Sequence, residues 1–266
     1  MTHHANGSPA HPLCLRRFTE RPAAMADFLE LLGMTPQRPS REGDAGILRA
    51  AAGRVALHQL APDRPAVTGA VHGETHLVFL AEDARHTAAR LQEDGLRSLW
   101  WEHAERRHAG VTGPSGEGVW FHEEPDLCTA GPPVGAVDGL TVVAVRSSED
   151  PGADVAFFSH LGYEPIPGEE SEGWLPLAVP EAPSGMIGLH APGGDKPGPA
   201  VEPPPGGHNP AGLNAPVLLG FQTPEELDGV AARLEAAGHP VQRAEGPVSA
   251  LVVRDPDGRR LEIHPA

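Results

Sequence analysis

Apolar and polar residues alternate in four short runs of the chain, and each run ends in a histidine. The runs cover residues 55–58, 119–122, 187–190 and 261–264 and end at His58, His122, His190 and His264. Such alternation predicts β-strands, because successive side chains of a strand point to opposite faces. The four histidines are 64, 68 and 74 residues apart. A recurrence at this period indicates a fold built from repeated units.

Longer similarities relate the first half of the chain to the second half. The segment FLELLGM at 28–34 is similar to FFSHLGY at 157–163, and AARLQEDG at 88–95 is similar to AARLEAAG at 231–238. Each segment combines a helix-forming stretch with a glycine that is suited to end a helix. The chain is therefore expected to contain two copies of one structural domain.

The domain boundaries follow from the repeats and from the stretches rich in proline and glycine. We expect one domain at residues 11–126 and the other at 137–266, joined by the segment GPPVG at 131–135. A second stretch of this kind, 193–214, is expected to form a loop inside the second domain. A loop of this length is either functional or disordered, and both interpretations stay open.

Each predicted domain contains two modules with the same order of elements. A strand comes first, then an amphipathic helix, which is clearest at 84–94, and then further strands. The first strands are expected at about 13–18, 76–81, 140–146 and 216–222. The prediction is an α+β fold with four βαβββ modules, paired into two cupped and mostly antiparallel sheets. The concave face of each sheet is the expected place for a binding site.

Composition narrows the possible classes of function. The chain has 266 residues, with 36 acidic and 20 basic side chains and a formal net charge of −16. Its one lysine is Lys196, and the absence of a basic run argues against nucleic-acid binding, which needs clustered positive charge. No apolar stretch approaches the roughly 20 residues of a membrane helix, and the first residues do not have the pattern of a secretory signal. We therefore expect a cytoplasmic protein that does not bind membranes.

The repeated pattern resembles the vicinal oxygen chelate (VOC) superfamily, which includes glyoxalases, bleomycin-resistance proteins and extradiol dioxygenases. The sequence DPDGRRLEI at 255–263 is similar to the terminal hairpin and strand of the family, and segments 28–33 and 157–162 are similar to the region after the first strand of each domain. The resemblance implies two tandem glyoxalase-like domains. Because the superfamily contains lyases, isomerases, dioxygenases and proteins that only bind, it does not indicate one reaction.

The resemblance also implies where a metal would be held. In metal-dependent members, each domain uses one residue from the first strand and one from the last strand of each module. These positions are Leu13, Ala56, His76 and Trp120 in the first domain, and Leu140, Gly188, Val217 or Leu218, and Glu262 in the second. Only His76 and Glu262 are suitable ligands, and a single ligand does not hold a catalytic ion. The standard metal site is therefore expected to be lost in both domains.

The preferred interpretation is a protein that binds a small organic molecule without the standard metal, as bleomycin-resistance members do. Leu13, Trp100 and Trp120 then supply apolar contacts, and His58 and His76 orient polar groups. The expected ligand is hydrophobic or planar, and no cofactor is required. The same apolar residues also suit a filled core, so a pocket and a solid interior both stay open.

The alternative is an enzyme, a metal-dependent lyase, isomerase or dioxygenase, that holds Zn, Fe, Mn or Ni with a non-standard set of ligands. The candidate ligands are His58, His76 and His122 in the first domain and Glu262, His190 and His264 in the second. Glu262 is also the candidate catalytic base for a proton next to a carbonyl. A third possibility is that one domain is purely structural. If the two domains pair like the subunits of a family dimer, both a monomer and a homodimer are possible.

Overall fold

The structure is a computed structural model that describes seven segments of the chain. They are residues 10–38, 44–61, 69–103, 105–128, 138–193, 213–244 and 249–266. The predicted linker 131–135 and residues 194–212 of the predicted loop lie outside the described residues. Strands predominate in the described part and helices are short, which makes the fold α+β. None of the described helices has the length and apolar character to cross a membrane.

Two segments of the first half repeat one order of elements: a strand, a helix and three further strands. The first segment contains β1 (Cys14–Thr19), α1 (Pro22–Leu31), β2 (Thr35–Arg38), β3 (Asp44–Arg49) and β4 (Arg54–Gln59). The second contains β5 (Thr75–His76), β6 (Val78–Ala81), α2 (Ala84–Glu93), β7 (Ser98–His103), β8 (Arg106–Thr112) and β9 (Gly118–Glu123), followed by α3 (Pro125–Cys128). Here β5 and β6 together take the place of the first strand.

The second half has the same order of elements in two further segments. The third segment contains β10 (Thr141–Ser147), α4 (Pro151–Ser159), β11 (Glu164–Pro165), β12 (Trp174–Ala178) and β13 (Met186–His190). The fourth contains β14 (Pro216–Thr223), α5 (Leu227–Ala236), β15 (Val241–Ala244), β16 (Ala250–Arg254) and β17 (Arg260–Pro265). In all four segments the first and last strands pair in parallel, and the other strands pair antiparallel. The first strands begin within one residue of their predicted positions.

Helix α2 shows how the local sequence fixes these elements. The side chain of Asp83 accepts a hydrogen bond from the backbone N–H of His86, which caps the start of the helix. Ala88 and Leu91 lie on its buried face, as the helical spacing predicts. The helix ends before Gly95, which has a φ of 85° that glycine adopts without strain.

The first strands of the four segments are neighbours in the middle of the structure. The main sheet has the order β11-β12-β13-β10-β14-β5-β1-β4-β3-β2, and β17, β16 and β15 extend it from β14. The remaining strands form a second sheet in the order β6-β9-β8-β7. One bridge between Leu13 and Phe79 connects β6 to the start of β1. Because β14 of the second half pairs with β5 of the first half, the main sheet contains strands from both halves.

Two equivalent turns, one from each half, contact each other at the interface between the halves. Gly53 precedes β4 and Gly185 precedes β13, and both have a positive φ. A Cβ atom on Gly53 would lie 3.2 Å from the Cα of Gly185 and 2.9 Å from the Cβ of Val142. The close approach and the positive φ both require glycine at this crossing.

Buried ion pairs also join the halves. Arg17 on β1 is buried with Asp255 and Asp257, which precede β17; its Nε donates to Asp257 at 3.0 Å and its Nη2 donates to Asp255. Burial raises the pKa of Asp255, and the charge of Arg17 opposes that rise. A second buried cluster places the Arg146 guanidinium 2.5 Å from Glu117 and 3.0 Å from Asp154. The interface between the halves is therefore charged as well as apolar.

Candidate functional site

The register of β1 with its two neighbours brings several polar side chains to one face of the first half. Arg16 lies directly opposite Ala56 on β4 and opposite His76 on β5. Directly paired residues point to the same face of a sheet. Phe18, two residues after Arg16, contacts both His58 and His76, with ring centroids 5.2 and 4.8 Å apart. Helices cover the opposite face of these strands, where Leu15 and Val55 belong to the core.

The same face continues over β9, β8 and β7 as a layer of aromatic and imidazole rings. His122 lies opposite His108, which in turn lies opposite Trp101. Ring centroids are 4.7 Å apart for His108 and His122, and 4.9 Å apart for Trp101 and Trp120. Trp101 and Trp120 are half-buried. We call this surface the histidine face, and it comprises Arg16, His58, His76, Trp101, His108, Trp120 and His122.

Arg16 fixes the protonation of His122. Its Nη2 lies 3.3 Å from the Nδ1 of His122. A guanidinium group only donates hydrogen bonds, so Nδ1 is the acceptor and the ring proton of neutral His122 is on Nε2. Burial, and then the charge of Arg16, hold the pKa of His122 well below its usual value. The Nε2 of His122 is buried and has no hydrogen-bond partner among the described residues.

The neighbouring His108 is also neutral near pH 7. Burial lowers its pKa to about 4, and Arg16 is the next largest cause. Its Nδ1 atom is buried without a hydrogen-bond partner in the part of the chain that the structure describes. The histidine face thus places the fixed charge of Arg16 beside the uncharged imidazoles of His108 and His122.

His76 has a different environment at the edge of this face. Its Nε2 lies 3.2 Å from the Oε2 of Glu74. Burial opposes the charge of Glu74, but the hydrogen bonds from His76 and from the Val71 N–H lower the pKa of this carboxyl overall. Glu74 therefore stays ionised and orients the imidazole of His76.

The predicted metal ligands of the first half do not form a metal group in this arrangement. Among the described residues, no three or more His, Cys, Asp and Glu side chains are placed to hold a metal ion. His58 and His76 flank Phe18, whereas His122 receives a hydrogen bond from Arg16. The guanidinium beside His122 also disfavours a second cation there. These residues as placed do not fit a bound metal ion.

Three residues predicted from the family pattern lie on the helix-packed face. Leu13 and Leu140 are fully buried in the core, and Val217 is buried there too. Leu218 points to the opposite face, because it is directly paired with Val145 of β10. A shift of one residue along a strand moves a side chain to the other face, so the predicted register was wrong at Leu13.

The observed pairings identify the residue that corresponds to His76 in the first segment. Arg16 lies opposite Ala56, and Val78 lies opposite Trp120, so Arg16 and Val78 are equivalent positions. Two residues earlier in each strand are Cys14 and His76. Cys14 is therefore the counterpart of His76, and Arg16 follows it on the same face.

Of the two adjacent tryptophans, the sequence prediction named the wrong one for this face. Trp100 is 41% exposed and packs beneath the Arg85 guanidinium of α2, 4.1 Å from the ring centroid. Trp101, one residue later, faces His108. Strand alternation shows that only one of the pair faces the histidines, but which one depends on the pairing of β7 with β8.

Glu262 lies on the corresponding face of the second half, which is more exposed. It is opposite Gly220 of β14, and its side chain is 43% exposed. Its carboxylate pairs with Arg260 at 2.8 Å and with the Nε2 of His264 at 3.2 Å. We call the surface formed by Trp174, Gly188, Leu218, Gly220, Glu262 and His264 the Glu262 face.

The remaining predicted ligand of the second half is remote from Glu262. His190 is on β13, and β10 and β14 separate that strand from β17, a distance of about 14 Å across three strand spacings. Its Nδ1 donates to the carbonyl oxygen of Ala191. Gly188, equivalent to Glu262 on β13, lies under the ring of Trp174, where a Cβ atom would collide with the indole. His190, Glu262 and His264 are therefore not brought together.

Comparison with known proteins identifies the fold. No protein-family model and no curated protein matches the sequence. A crystal structure of catechol 2,3-dioxygenase matches with a TM-score of 0.55 and 13% identity, over 97% of this chain and 92% of that chain. Homoprotocatechuate 2,3-dioxygenase from Arthrobacter globiformis has a TM-score of 0.53 and 14% identity, over 97% and 80% of the two chains. For a halotolerant catechol dioxygenase the values are 0.51 and 16%, over 97% and 87%.

At these identities the likeness concerns the fold and not the reaction. The matching dioxygenases belong to the VOC superfamily. The sequence resemblance to this superfamily, which segment 255–263 suggested, is confirmed for the fold. The chain has the fold of the vicinal oxygen chelate superfamily.

Proposed function

We propose that this chain is a small-molecule-binding protein of the VOC type, with tandem domains at 11–126 and 137–266 and its binding site on the histidine face. The observation that carries the proposal is the layer of rings beside Arg16. Trp101, Trp120, His108 and His122 lie in mutual ring contact, and both tryptophans are partly exposed. Ring faces and edges of this kind bind planar organic molecules.

The family pattern supports binding without the standard metal. Three of the four last-strand positions that carry metal ligands in other members are occupied here by Ala56, Trp120 and Gly188, and Trp174 covers Gly188. These three residues do not coordinate metals, and Glu262 at the fourth position does not hold a catalytic ion alone. The structural neighbours are named for catechol and homoprotocatechuate. A planar aromatic ligand on this fold is consistent with the ring layer, and sequestration of such a compound is the role we propose.

A thermal-shift screen of planar aromatic compounds, followed by calorimetric titration of the stabilising ones, tests the proposal. Trp120→Ala is expected to weaken binding by about tenfold or more, since aromatic anchors carry much of the energy of an interface. Trp174→Ala is the matched control on the Glu262 face, and it is expected to leave the affinity unchanged.

Two results would contradict the proposal. If no compound stabilises the protein, or if Trp174→Ala abolishes binding while Trp120→Ala does not, the histidine face is not the site. Elemental mass spectrometry of untagged protein, purified without chelators and incubated with Zn, Fe, Mn and Ni, tests the metal-free part. One tightly held ion per chain would favour the metal-dependent enzyme instead.

A further inference from the structure

We infer that the molecule bound at the histidine face is a neutral planar lactam, whose N–H donates to the Nδ1 of His108 and whose carbonyl oxygen accepts from the Nε2–H of His122. This inference rests on the proposed function and specifies the chemical class of its ligand. It depends on the hydrogen bonds of the two imidazoles and on their packing against two tryptophans.

The first buried group without a partner is a donor, on His122. Because Arg16 donates to the Nδ1 of His122, the proton of that imidazole is on Nε2. The Nε2–H is buried and has no acceptor among the described residues. A buried donor without an acceptor is unfavourable, and a ligand oxygen placed there removes the penalty. This imidazole therefore favours a ligand atom that accepts.

The second buried group without a partner is an acceptor, on the residue directly opposite. His108 is paired with His122, and their ring centroids are 4.7 Å apart. Burial lowers the pKa of His108, and a hydrogen bond to the backbone of His103 opposes that shift. A hydrogen bond that raises an imidazole pKa is one that a ring N–H donates. Since Nδ1 has no partner within the described part of the chain, the donor is Nε2, and Nδ1 carries the lone pair.

A donor and an acceptor on neighbouring imidazoles together favour a ligand that supplies both roles. An ether, an ester or a carboxylate only accepts, and an ammonium group only donates, so each of these leaves one imidazole atom unpaired. A lactam presents an N–H beside a carbonyl oxygen in one plane, and it can pair with both atoms. A buried site that hydrogen-bonds both groups rejects analogues that lack one of them.

The rings beside the two imidazoles determine the rest of the ligand. Trp101 stacks with His108 at an interplanar angle of 28°, and Trp120 stacks with His122 at 29°. The two tryptophans are half-buried, whereas the two imidazoles are buried. A ligand therefore reaches the imidazoles by moving a tryptophan ring, and its own planar ring then packs against the indole. Both imidazoles are neutral near pH 7, so neither requires an ionic ligand.

Three neutral bicyclic probes of similar size test the inference by calorimetric titration of the full chain near neutral pH. 2-Quinolone carries the lactam, coumarin has a ring oxygen in place of the N–H, and 2-naphthol has a single hydroxyl group. 2-Quinolone is expected to bind about tenfold more tightly than either of the others. Coumarin leaves the Nδ1 of His108 unpaired, and in 2-naphthol a single oxygen must serve two atoms on separate rings.

Variants assign the preference to a residue. His108→Phe keeps an aromatic ring but removes the acceptor, and it is expected to lower the affinity for 2-quinolone to that for coumarin, while coumarin binds as before. His264→Phe, the same change on the Glu262 face, is the matched control and is expected to keep the full preference. Urea unfolding of both variants verifies that each chain is cooperatively folded before titration.

The outcomes separate this inference from the proposed function. Equal binding of all three probes overturns the lactam but supports binding of planar molecules. Equal binding of 2-quinolone and 2-naphthol, both tighter than coumarin, assigns the two imidazoles to one hydroxyl group and also overturns the lactam. Failure of all three probes to bind a cooperatively folded chain overturns both proposals. A preference that persists in His108→Phe overturns the inference.

Spectroscopic measurements on the unmodified protein check the hydrogen-bond argument without any variant. Histidine nitrogen NMR near neutral pH is expected to show His108 and His122 each with an unprotonated Nδ1 and a protonated Nε2. Addition of 2-quinolone is expected to shift the Nδ1 resonance of His108 and to change the tryptophan fluorescence. A proton on the Nδ1 of either imidazole, in the other tautomer or in the imidazolium form, would exclude this arrangement.

Discussion

The histidine face and the Glu262 face occupy equivalent places in the repeated fold, yet they hold their charged and titratable side chains differently. His108 and His122 are only 6% and 7% exposed, and burial lowers the pKa of both imidazoles. Glu262 is 43% exposed and shares its charge with Arg260 and His264. Equivalent positions on one fold thus become either a desolvated surface with neutral imidazoles or a solvated ion-pair network. Position in the fold does not by itself determine the chemistry of a site.

Packing at the end of β9 contributes to this difference. Helix α3 follows β9 and places Leu127 against Cys14 and Leu80, on the same side of the sheet as the histidine face. The carbonyl oxygen of Leu127 accepts a hydrogen bond from the buried Arg54 at 2.6 Å. This contact anchors the helix and excludes water from one end of the face.

The largest expected effect tests whether burial, and not the mere presence of an ion pair, controls the energy of charged groups in this protein. Arg17→Met leaves Asp255 and Asp257 buried without their cation, and we expect it to lower the free energy of unfolding by about 3–5 kcal/mol. Arg243→Met removes a pair with Asp228 in which both side chains are mostly exposed, and it should cost less than about 1 kcal/mol. Urea unfolding measures both, and similar losses would contradict the distinction.

Acid is expected to destabilise the protein through the buried imidazoles of the histidine face, and also through His11, whose pKa burial lowers to about 4. The pKa of His108 is about 4 in the folded state and about 6.5 when the chain is unfolded. Between these values the unfolded state binds more protons, so stability is complete above about pH 6.5 and is lost as the pH falls towards 4. The loss from His108 is on the order of 3 kcal/mol, and His122 acts in the same direction.

Urea unfolding at several pH values measures this dependence. His108→Gln is expected to reduce the slope of stability against pH in this window. His264→Gln, which removes a histidine from the more exposed Glu262 face, is the control variant, and its slope is compared with that of His108→Gln. An equal slope in the parent and in His108→Gln would contradict the assignment to the buried face.

Gly188 occupies the position in the second half that Ala56 occupies in the first. Adding a methyl group there tests how closely the Trp174 ring packs against the strand. Gly188→Ala places a Cβ atom in the space of the indole, so the ring must move, and we expect a loss of about 1–3 kcal/mol. Trp174→Ala combined with Gly188→Ala should cost less than the sum of the two single changes, because the clash is then absent. Additive losses in this double-mutant cycle would show that the two residues do not compete for space.

The smallest effect is expected at Glu262. Glu262→Gln removes an exposed charge from the pairs with Arg260 and His264, and it should lower stability by less than about 1 kcal/mol, with a smaller effect at high salt. Thermal unfolding at low and high salt measures this difference. A loss of ligand binding in this variant would instead locate the functional site in the second half.

The sequence predicts the strands well because strand alternation is a local property. The first strands begin where the apolar pattern places them, and the histidines next to the last residues of β4 and β9 both lie on the histidine face. Pairing between distant segments is not local, and this explains the errors at Leu13 and Trp100. In both cases a neighbour one residue away points to the face that the prediction assigned to the named residue.

Arg16 shows most clearly what sequence reasoning missed. It stands beside Arg17 in an apolar strand, and alternation sends consecutive residues to opposite faces. Arg17 forms salt bridges with Asp255 and Asp257 of the second half, whereas Arg16 donates a hydrogen bond to His122, which is 106 residues away in the chain. Two adjacent arginines in a buried strand are a detectable signal, but their partners become apparent only when the strands are paired.

The buried salt bridge between Arg17 and Asp255 also has a consequence for the synthesis of the protein. The two residues are 238 positions apart. At about 5–20 residues per second, a ribosome needs on the order of 10–50 s to make the intervening chain. During that time the first strand holds a cation whose acidic partners do not yet exist. We therefore expect β1 to settle in the main sheet only after β16 and β17 have been made, and a chain that stops before them to be a target for chaperones and proteases.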